Sequence, residues 1–208
     1  MVSSIKSVYR TLNCDRIHQG DVLSDFEFPT IVSLGNDSNI ELTSIQYGMI
    51  LSQDCDLEGI HILNSQIQQI NDFSSVNPIN GNKFLPSIII APAFLAEDVN
   101  SGDYLLDMGF KMDNKGNPSK SNWQSIEKNN NPRYHFLSDS EEEGLPNLII
   151  DFKIFYTLPY DYIFFKYTDV YTCSLSELFR ESLSQRFFSY HSRVGLPNFE
   201  NIVNCEND

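Results

Sequence analysis

The residues best suited to chemistry lie in one short segment, Ser52-Gln-Asp-Cys-Asp56, which directly follows an apolar stretch of the chain. If this segment is extended, the side chains of Asp54 and Asp56 point the same way. Two neighbouring carboxylates can share a proton, hold a divalent ion or accept an arginine fork. Cys55 lies between them and is a poor nucleophile, because nearby negative charge disfavours the thiolate. The segment predicts either a binding or catalytic site at a sheet rim, or a capped turn with Cys55 buried.

Arginines near the C-terminus supply the natural counterpart to these carboxylates. A helix is predicted over 175–193, and Arg186 and Arg193 fall at the edge of its apolar stripe. An arginine in that position must snorkel or find a carboxylate partner. We therefore expect Arg186 and Arg193 to reach Asp54 and Asp56, either as a structural salt bridge or as an anion site that is neutralised when empty.

A second face of the same helix carries Arg180 and His191, which we expect to face solvent or a partner. Because Glu177 and Glu181 are interleaved with them, this face is barely basic, so contact with nucleic acid is the less favoured interpretation. The other histidines are separated in the sequence and assemble no triad or metal site. They are His18, His61 and His135.

The predicted helix has clear boundaries in the sequence. Ser174 and Glu177 form a capping box, and Gly195 followed by Pro197 would stop the helix. Its apolar residues recur at helical spacing. They are Leu175, Phe179, Leu183, Phe187, Tyr190 and Val194.

Short apolar runs with turn residues between them predict strands, of which those at 22–28 and 47–52 are examples. The run 84–94 is expected to end at Pro92, and aromatic-rich strands are expected over 148–156 and 162–167. The run 60–70 fits a strand or a short helix equally well.

The order of these elements predicts one α+β domain over residues 1–208. Barrel strands would occupy about 20–94 and 148–167, and a polar excursion over about 98–133 would interrupt them, with a short helix near 123–128. Several short strands followed by one amphipathic helix favour a small, SH3-like β-barrel that is covered by the helix.

Charge and composition limit the possible functions. The chain has 28 acidic and 14 basic residues, a net charge of −14, and this argues against binding nucleic acid over a broad surface. Four scattered cysteines predict neither a disulfide framework nor a zinc site. No signal peptide or membrane span is apparent, so a cytoplasmic protein without a cofactor is expected.

Three segments resemble the MazF/PemK-like barrel of bacterial toxins. They are the strand opening at Gly20-Asp21, the strand Tyr47-Gly-Met-Ile-Leu-Ser52, and Ser87-Ile-Ile-Ile-Ala-Pro92. The resemblance implies a barrel and RNA cleavage, but Tyr47-Gly48 replaces the arginine–proline pair of that family. The chain is also similar to a group of bacterial proteins marked by Ser52-Gln-Asp-Cys-Asp56, Phe179-Arg-Glu-Ser-Leu-Ser-Gln-Arg-Phe187 and Arg193-Val-Gly-Leu-Pro197, which accompany mobile or defence-type gene clusters.

These observations favour an acidic accessory protein of a bacterial defence or toxin–antitoxin type system, which docks on a partner protein, for which a basic protein is one candidate. The aromatic run 152–167 is consistent with docking, since an apolar patch rimmed by acids is typical of protein interfaces. One alternative is a nuclease-like enzyme that uses Asp54, Asp56 and Arg186, with His191. Another is a small-molecule sensor that uses the mouth of the barrel.

Overall fold

The computed structural model describes residues 7–31, 40–68, 81–107 and 118–192, which form an α+β structure as predicted. Its strands are β1 (Tyr9–Arg10), β2 (Asp21–Ile31), β3 (Ile40–Ile50), β4 (Ser87–Leu95), β5 (Tyr134–Leu137), β6 (Leu148–Asp151), β7 (Tyr156–Pro159) and β8 (Tyr171–Leu175). Its α-helices are α1 (Asp54–Gln68), α2 (Ala96–Ser101), α3 (Tyr104–Asp107), α4 (Lys120–Glu127), α5 (Tyr160–Val170) and α6 (Glu177–His191).

The described strands form one antiparallel sheet that curls into a half-barrel. Its order is β1-β8-β2-β3-β4-β6-β5, and β7 also pairs with β4. The central strand β4 belongs to both parts of the sheet, because its first half pairs with β7 and its last three residues pair with β6. The strand therefore joins the two parts of the sheet.

Both faces of this sheet are buried, as the alternation of side chains along a strand requires. Val22 belongs to a core cluster that includes Leu183 and Phe187 of α6. The next residue, Leu23, points to the other face and belongs to a cluster that includes side chains from α1 and α5. Helix α6 thus covers one face of the half-barrel, and α1 and α5 cover the other.

The segment 162–167 is helical, so the strand predicted there is wrong. It belongs to α5, whose buried residues Tyr160, Ile163 and Tyr167 recur at helical spacing. The aromatic residues favoured a strand by composition, but Phe165 remains 86% exposed because it lies on the opposite side of the helix. The helical spacing of the buried residues therefore identifies this segment as a helix, although its aromatic residues have a high propensity for strands. The strand predicted over 148–156 is also divided, since β6 ends at Asp151 and β7 begins at Tyr156.

The chain turns into helix α1 at Asp54 instead of staying extended. Apolar residues at helical spacing, Leu57, Ile60 and Leu63, are buried against the sheet and fix this helix. The ambiguous run 60–70 is helical through Gln68, and its last two residues lie outside the described ranges. Acidic side chains in the first turn are favourable next to the positive end of the helix dipole.

Pro92 does not end β4, which continues to Leu95. Instead, the ladder between β3 and β4 ends there, with Gly48 opposite Pro92 as its last pair. Proline has no backbone N–H to donate to a ladder. From this point β4 pairs with β6 on its other side, and its edge towards β3 is left without a partner strand among the described residues.

The helix expected over 175–193 is represented by α6, which begins two residues later. Ser174 and Leu175 belong to β8, so the predicted capping box is wrong. The N-cap residue is Ser176, whose hydroxyl donates to the carbonyl oxygen of Ser7 at 2.8 Å. The predicted stop at Gly195 and Pro197, and Val194 of the stripe, lie outside the described residues.

Between β4 and β5 the described part of the polar excursion carries three helices, α2 to α4. Helix α4 begins three residues before the short helix predicted near 123–128 and ends one residue earlier, and its N-cap, Ser119, accepts a hydrogen bond from the backbone N–H of Asn122. Across the ranges that the structure describes, no helix combines the length and apolar character needed to traverse a bilayer.

Candidate functional site

A loop before β2 brings three parts of the chain together at the end of β3. Gly20 has φ +82°, and a Cβ atom added there would lie 3.2 Å from both Leu175 Cβ and Arg180 Cγ. The backbone N–H of Gly20 donates to the carbonyl oxygen of Ile50 at 2.8 Å, and its own carbonyl accepts from Leu175 N–H at 2.9 Å. A glycine is required here both for its backbone conformation and for the close approach of α6.

Asp54 is the centre of a charged group that we call the Asp54 cluster, composed of Asp54, Arg16, His18, Gln19 and Arg180. Arg16 Nη2 donates to Asp54 Oδ2 at 3.1 Å, and the backbone N–H of Gln19 donates to Oδ1 at 3.2 Å. His18 Nδ1 lies 3.5 Å from Oδ1, and Arg180 Nη1 lies 3.6 Å from Oδ2. One carboxylate thus faces two guanidinium groups and an imidazole.

These contacts keep Asp54 ionised. Burial alone would raise the pKa of this carboxyl group, but the nearby His18 imidazole and hydrogen bonds from Arg16 and the Gln19 backbone outweigh burial and hold its pKa well below the usual range. Asp54 is therefore a fixed negative charge at neutral pH and cannot serve as a general acid.

Gln19 and Ser184 tie the cluster to helix α6. The Gln19 side-chain amide donates to the carbonyl oxygen of Leu51 at 3.0 Å and to Ser184 Oγ at 3.2 Å. Because Arg180 and Ser184 are four residues apart, they lie on the same side of the helix. The cluster therefore joins the loop before β2, the start of α1 and the middle of α6.

A second carboxylate, Asp21, lies directly beneath this loop and is fully buried. It accepts hydrogen bonds from the His18 backbone N–H at 2.5 Å, from the Tyr167 hydroxyl at 2.6 Å and from the Ser174 hydroxyl at 2.5 Å. Desolvation raises the pKa of Asp21, and these hydrogen bonds oppose the rise. Its position makes it a structural support for the loop rather than a group that can meet a ligand.

The predicted pairing of Arg186 with Asp54 or Asp56 is wrong. The Arg186 guanidinium instead donates to the backbone carbonyls of Asn129, Asn131 and Tyr134, the last two at 2.7 Å. The first two carbonyls lie in the turn between α4 and β5, and the third belongs to the first residue of β5. Arg186 therefore fastens this turn to α6, and its burial lowers the pKa of the guanidinium.

The remaining predicted residues of the 52–56 segment are not drawn into the cluster. Ser52 is buried, and its Oγ accepts a hydrogen bond from the backbone N–H of Ile89 at 2.8 Å. Asp56 and Cys55 are exposed, so the expectation of a buried cysteine is wrong. Asp54 and Asp56 do not point the same way, since positions two apart face different sides of a helix.

His191, predicted on the same face as Arg180, has a different environment. Its Nε2 atom lies 2.9 Å from the carbonyl oxygen of Phe152, and its ring packs against Phe155 and Phe187. His191 therefore packs among aromatic side chains at the C-terminal end of α6. Arg193 lies outside the described residues.

Sequence reasoning missed Arg16, His18, Gln19 and Ser184. The available signal was the polar run Arg16-Ile-His-Gln-Gly-Asp21, which ends in a glycine immediately before a strand. Within the described ranges, no group of three or more histidine, cysteine, aspartate or glutamate residues is arranged to hold a metal ion.

A groove of about 850 Å³ lies where β3 and β4 separate, and we call it the β3–β4 groove. Three acidic residues line it, Asp25, Glu41 and Asp98, and none of the lining residues that the structure describes is a lysine, arginine or histidine. Its apolar walls come mainly from β3, β4 and three tyrosines. They include Leu42, Ile45, Tyr47, Phe94, Tyr104 and Tyr156.

The fold and these two features define an α+β protein built on an antiparallel half-barrel, with a charged cluster at one strand end and an acidic groove between strands. No protein-family model, curated protein or solved structure matches this chain.

Proposed function

We propose that this chain is a protein-interaction module whose β3–β4 groove binds an extended, basic segment of a partner protein. The observation that carries this proposal is the open edge of β3 along the groove. Strand β3 pairs with β2 from Ile40 to Met49, but with β4 only from Gly48 to Ile50. Among the described residues, no strand pairs with the other edge of β3 over 40–47.

An open strand edge presents unpaired backbone N–H and C=O groups that an extended peptide can satisfy. Binding by strand addition takes its affinity from such backbone hydrogen bonds and its specificity from the alternate side chains. The free edge of β3 and the end of β4 beyond Pro92 both border the groove. An added strand would therefore lie between two elements that are already extended.

The lining of the groove selects the chemistry of that segment. Asp25 and Glu41 are exposed, and they project from neighbouring strands into a groove whose described lining contains no basic residue. Lysine or arginine side chains at alternate positions would meet these carboxylates, while apolar side chains would cover Tyr47 and Leu42, of which Leu42 is 69% exposed. The net charge of −14 would also speed the approach of a basic partner.

The proposal also includes the parent fold of this chain and the biological system in which it acts. The order of the Gly20, Tyr47 and Ser87 segments supports a MazF/PemK-like or SH3-like barrel as the parent fold. The motifs at Ser52 and Phe179 support a cytoplasmic accessory role in a bacterial defence or toxin–antitoxin type system. In that setting the groove would neutralise or recruit a basic protein.

The nuclease-like alternative is less well supported by the geometry. Asp54, Asp56 and Arg186 do not share one site, because Arg186 binds backbone carbonyls and Asp56 is exposed on α1. Asp54 is surrounded by Arg16, His18 and Arg180, and positive groups oppose the binding of a divalent cation.

The test is a binding titration of the full chain with a peptide of alternating lysine and valine, matched in length to the free edge. We expect Asp25→Asn/Glu41→Gln to weaken binding about tenfold, equivalent to roughly 1.4 kcal/mol. Asparagine suits position 25 because this residue has φ +49°, a conformation that asparagine tolerates. The matched control is Glu141→Gln/Glu142→Gln, which removes the same charge from the exposed turn after β5.

A peptide of the same sequence with N-methylated backbone amides separates strand addition from charge attraction alone. We expect it to bind much more weakly, because it cannot donate hydrogen bonds to β3. Equal binding of both peptides, or equal loss in the control variant, would overturn the proposal. A dimer in sedimentation experiments that the peptide dissociates would assign the groove to a second copy of the chain and would also overturn it.

A further inference from the structure

The Asp54 cluster carries an imbalance of charge that the docking function does not use. Acidic residues outnumber basic ones two to one in this chain, 28 to 14, yet here two guanidinium groups share one carboxylate. Since Asp54 stays ionised, the partly exposed groups Arg16, Arg180 and Asp54 together carry a net charge of +1, while the Asp21 carboxylate lies buried beneath the loop. The partly exposed groups of the cluster are thus positive, whereas the chain as a whole is strongly acidic.

Two other arginines, Arg133 and Arg186, are more fully engaged. Arg133 binds both carboxylate oxygens of the buried Asp151, at 2.8 and 2.5 Å, and Arg186 binds three backbone carbonyls. Arg180, in contrast, approaches Asp54 only at 3.6 Å, which is longer than a hydrogen bond. Its donors are therefore not satisfied by that carboxylate.

The positions of these side chains are fixed before any ligand arrives. The stem of Arg180 packs against Gly20, and Arg16 is oriented by its two contacts with Asp54. The Arg16 and Arg180 side chains are each 17% exposed, so solvent reaches them although they are mostly packed. A preorganised, partly desolvated guanidinium pair binds anions better than flexible surface arginines do.

We propose that Arg16 and Arg180 bind the phosphate group of a small ligand, with Asp54 holding the two guanidinium groups in place. A phosphate group suits this site because the guanidinium fork matches its oxygens, and because the joint charge of the two arginines exceeds that of Asp54. His18, whose side chain is 14% exposed and lies at the same carboxylate, offers a further polar contact. The ligand class is a phosphate monoester or free phosphate, and the site is separate from the β3–β4 groove.

The experiment follows the Nε–Hε signals of Arg16 and Arg180 by nuclear magnetic resonance in the full chain. Inorganic phosphate and a 5′-mononucleotide are titrated separately, at constant ionic strength maintained with sodium chloride. We expect saturable shifts of both arginine signals in at least one titration. Tighter binding of the mononucleotide would assign the site to an esterified phosphate, and equal or tighter binding of inorganic phosphate would assign it to the free anion.

Arg180→Gln should abolish the saturable response, and Arg180→Lys should weaken it, because lysine keeps the charge but loses the fork. The matched control is Arg10→Gln, which removes an arginine paired at 3.5 Å with the exposed Glu177. The amide spectrum of each variant verifies that it is folded. Absence of saturation with both ligands, or an unchanged response in folded Arg180→Gln, would overturn the proposal without affecting the peptide-binding test.

Discussion

The Tyr167 hydroxyl donates a 2.6 Å hydrogen bond to Oδ2 of the Asp21 carboxylate, deep between α5 and the start of β2. Both side chains are nearly inaccessible to solvent. The same carboxylate accepts from the backbone of His18, which belongs to the loop that supplies the Asp54 cluster. The buried Asp21 carboxylate therefore binds the backbone of this loop at His18, while Asp54 binds it at Gln19.

Tyr167→Phe should lower the free energy of unfolding at neutral pH by about 1–3 kcal/mol, because a buried carboxylate loses a donor. Desolvation already raises the pKa of Asp21, and loss of the donor should raise that pKa further. The destabilisation should therefore shrink in acid, where Asp21 is protonated in both proteins. Urea unfolding at neutral and acidic pH measures this, and equal stability of the two proteins at neutral pH would contradict it.

Protonation of Asp54 should make the folded protein less stable in acid. Its pKa is lower in the folded chain than the ordinary value of 3.8, so its contribution is complete above that value and is lost as the pH falls towards the folded pKa. We expect Asp54→Asn to show a smaller loss of stability between neutral and acidic pH than the unmodified chain does. Unfolding free energies measured over a series of pH values test this, and parallel curves for the two proteins would refute it.

Arg133→Met should destabilise the fold by about 3–5 kcal/mol, because it leaves a buried carboxylate without its partner. Asp151 is fully buried and also accepts a hydrogen bond from the Tyr104 hydroxyl at 3.0 Å. Arg133→Lys keeps the charge and should recover part of the loss. Denaturant unfolding of both variants provides the measurement, and equal loss in both would show that charge is not what stabilises Asp151.

Arg186→Ala should cost about 1–3 kcal/mol, more than a typical surface substitution, because three backbone carbonyls lose a charged donor. Gln185→Ala, at an exposed neighbouring position, is the control and should change stability little. The melting temperatures of the two variants are compared. An unchanged melting temperature for Arg186→Ala would mean that the turn at 129–134 holds without α6.

Local patterns predicted several elements of this fold well. Alternation predicted the strand at 22–28, and helical spacing predicted the positions of Leu183 and Phe187 in the core. The α5 segment was misjudged because its aromatic content suggested a strand, whereas burial of every third or fourth residue shows a helix. The composition of a segment is compatible with either a helix or a strand, and its packing against the sheet determines which of the two forms.

For the site, the sequence correctly predicted that the 52–56 segment and the C-terminal helix would meet. The arginine predicted to make this contact, Arg186, was the wrong one. Arg180 and Arg186 are six residues apart, which at about 100° per residue places them on different sides of α6. The rotation of α6 is set by the burial of Leu183 and Phe187, and it directs Arg180 to Asp54. Arg16 could not be placed, because its approach depends on the tertiary path of the loop before β2.

The open edge of β3 has a consequence for the protein at high concentration. Unpaired strand edges invite identical chains to join edge to edge. Asp25 and Glu41 would place like charges opposite one another in such a pair, within an already acidic molecule. The carboxylates that would attract a basic segment would thus also oppose self-association through this edge.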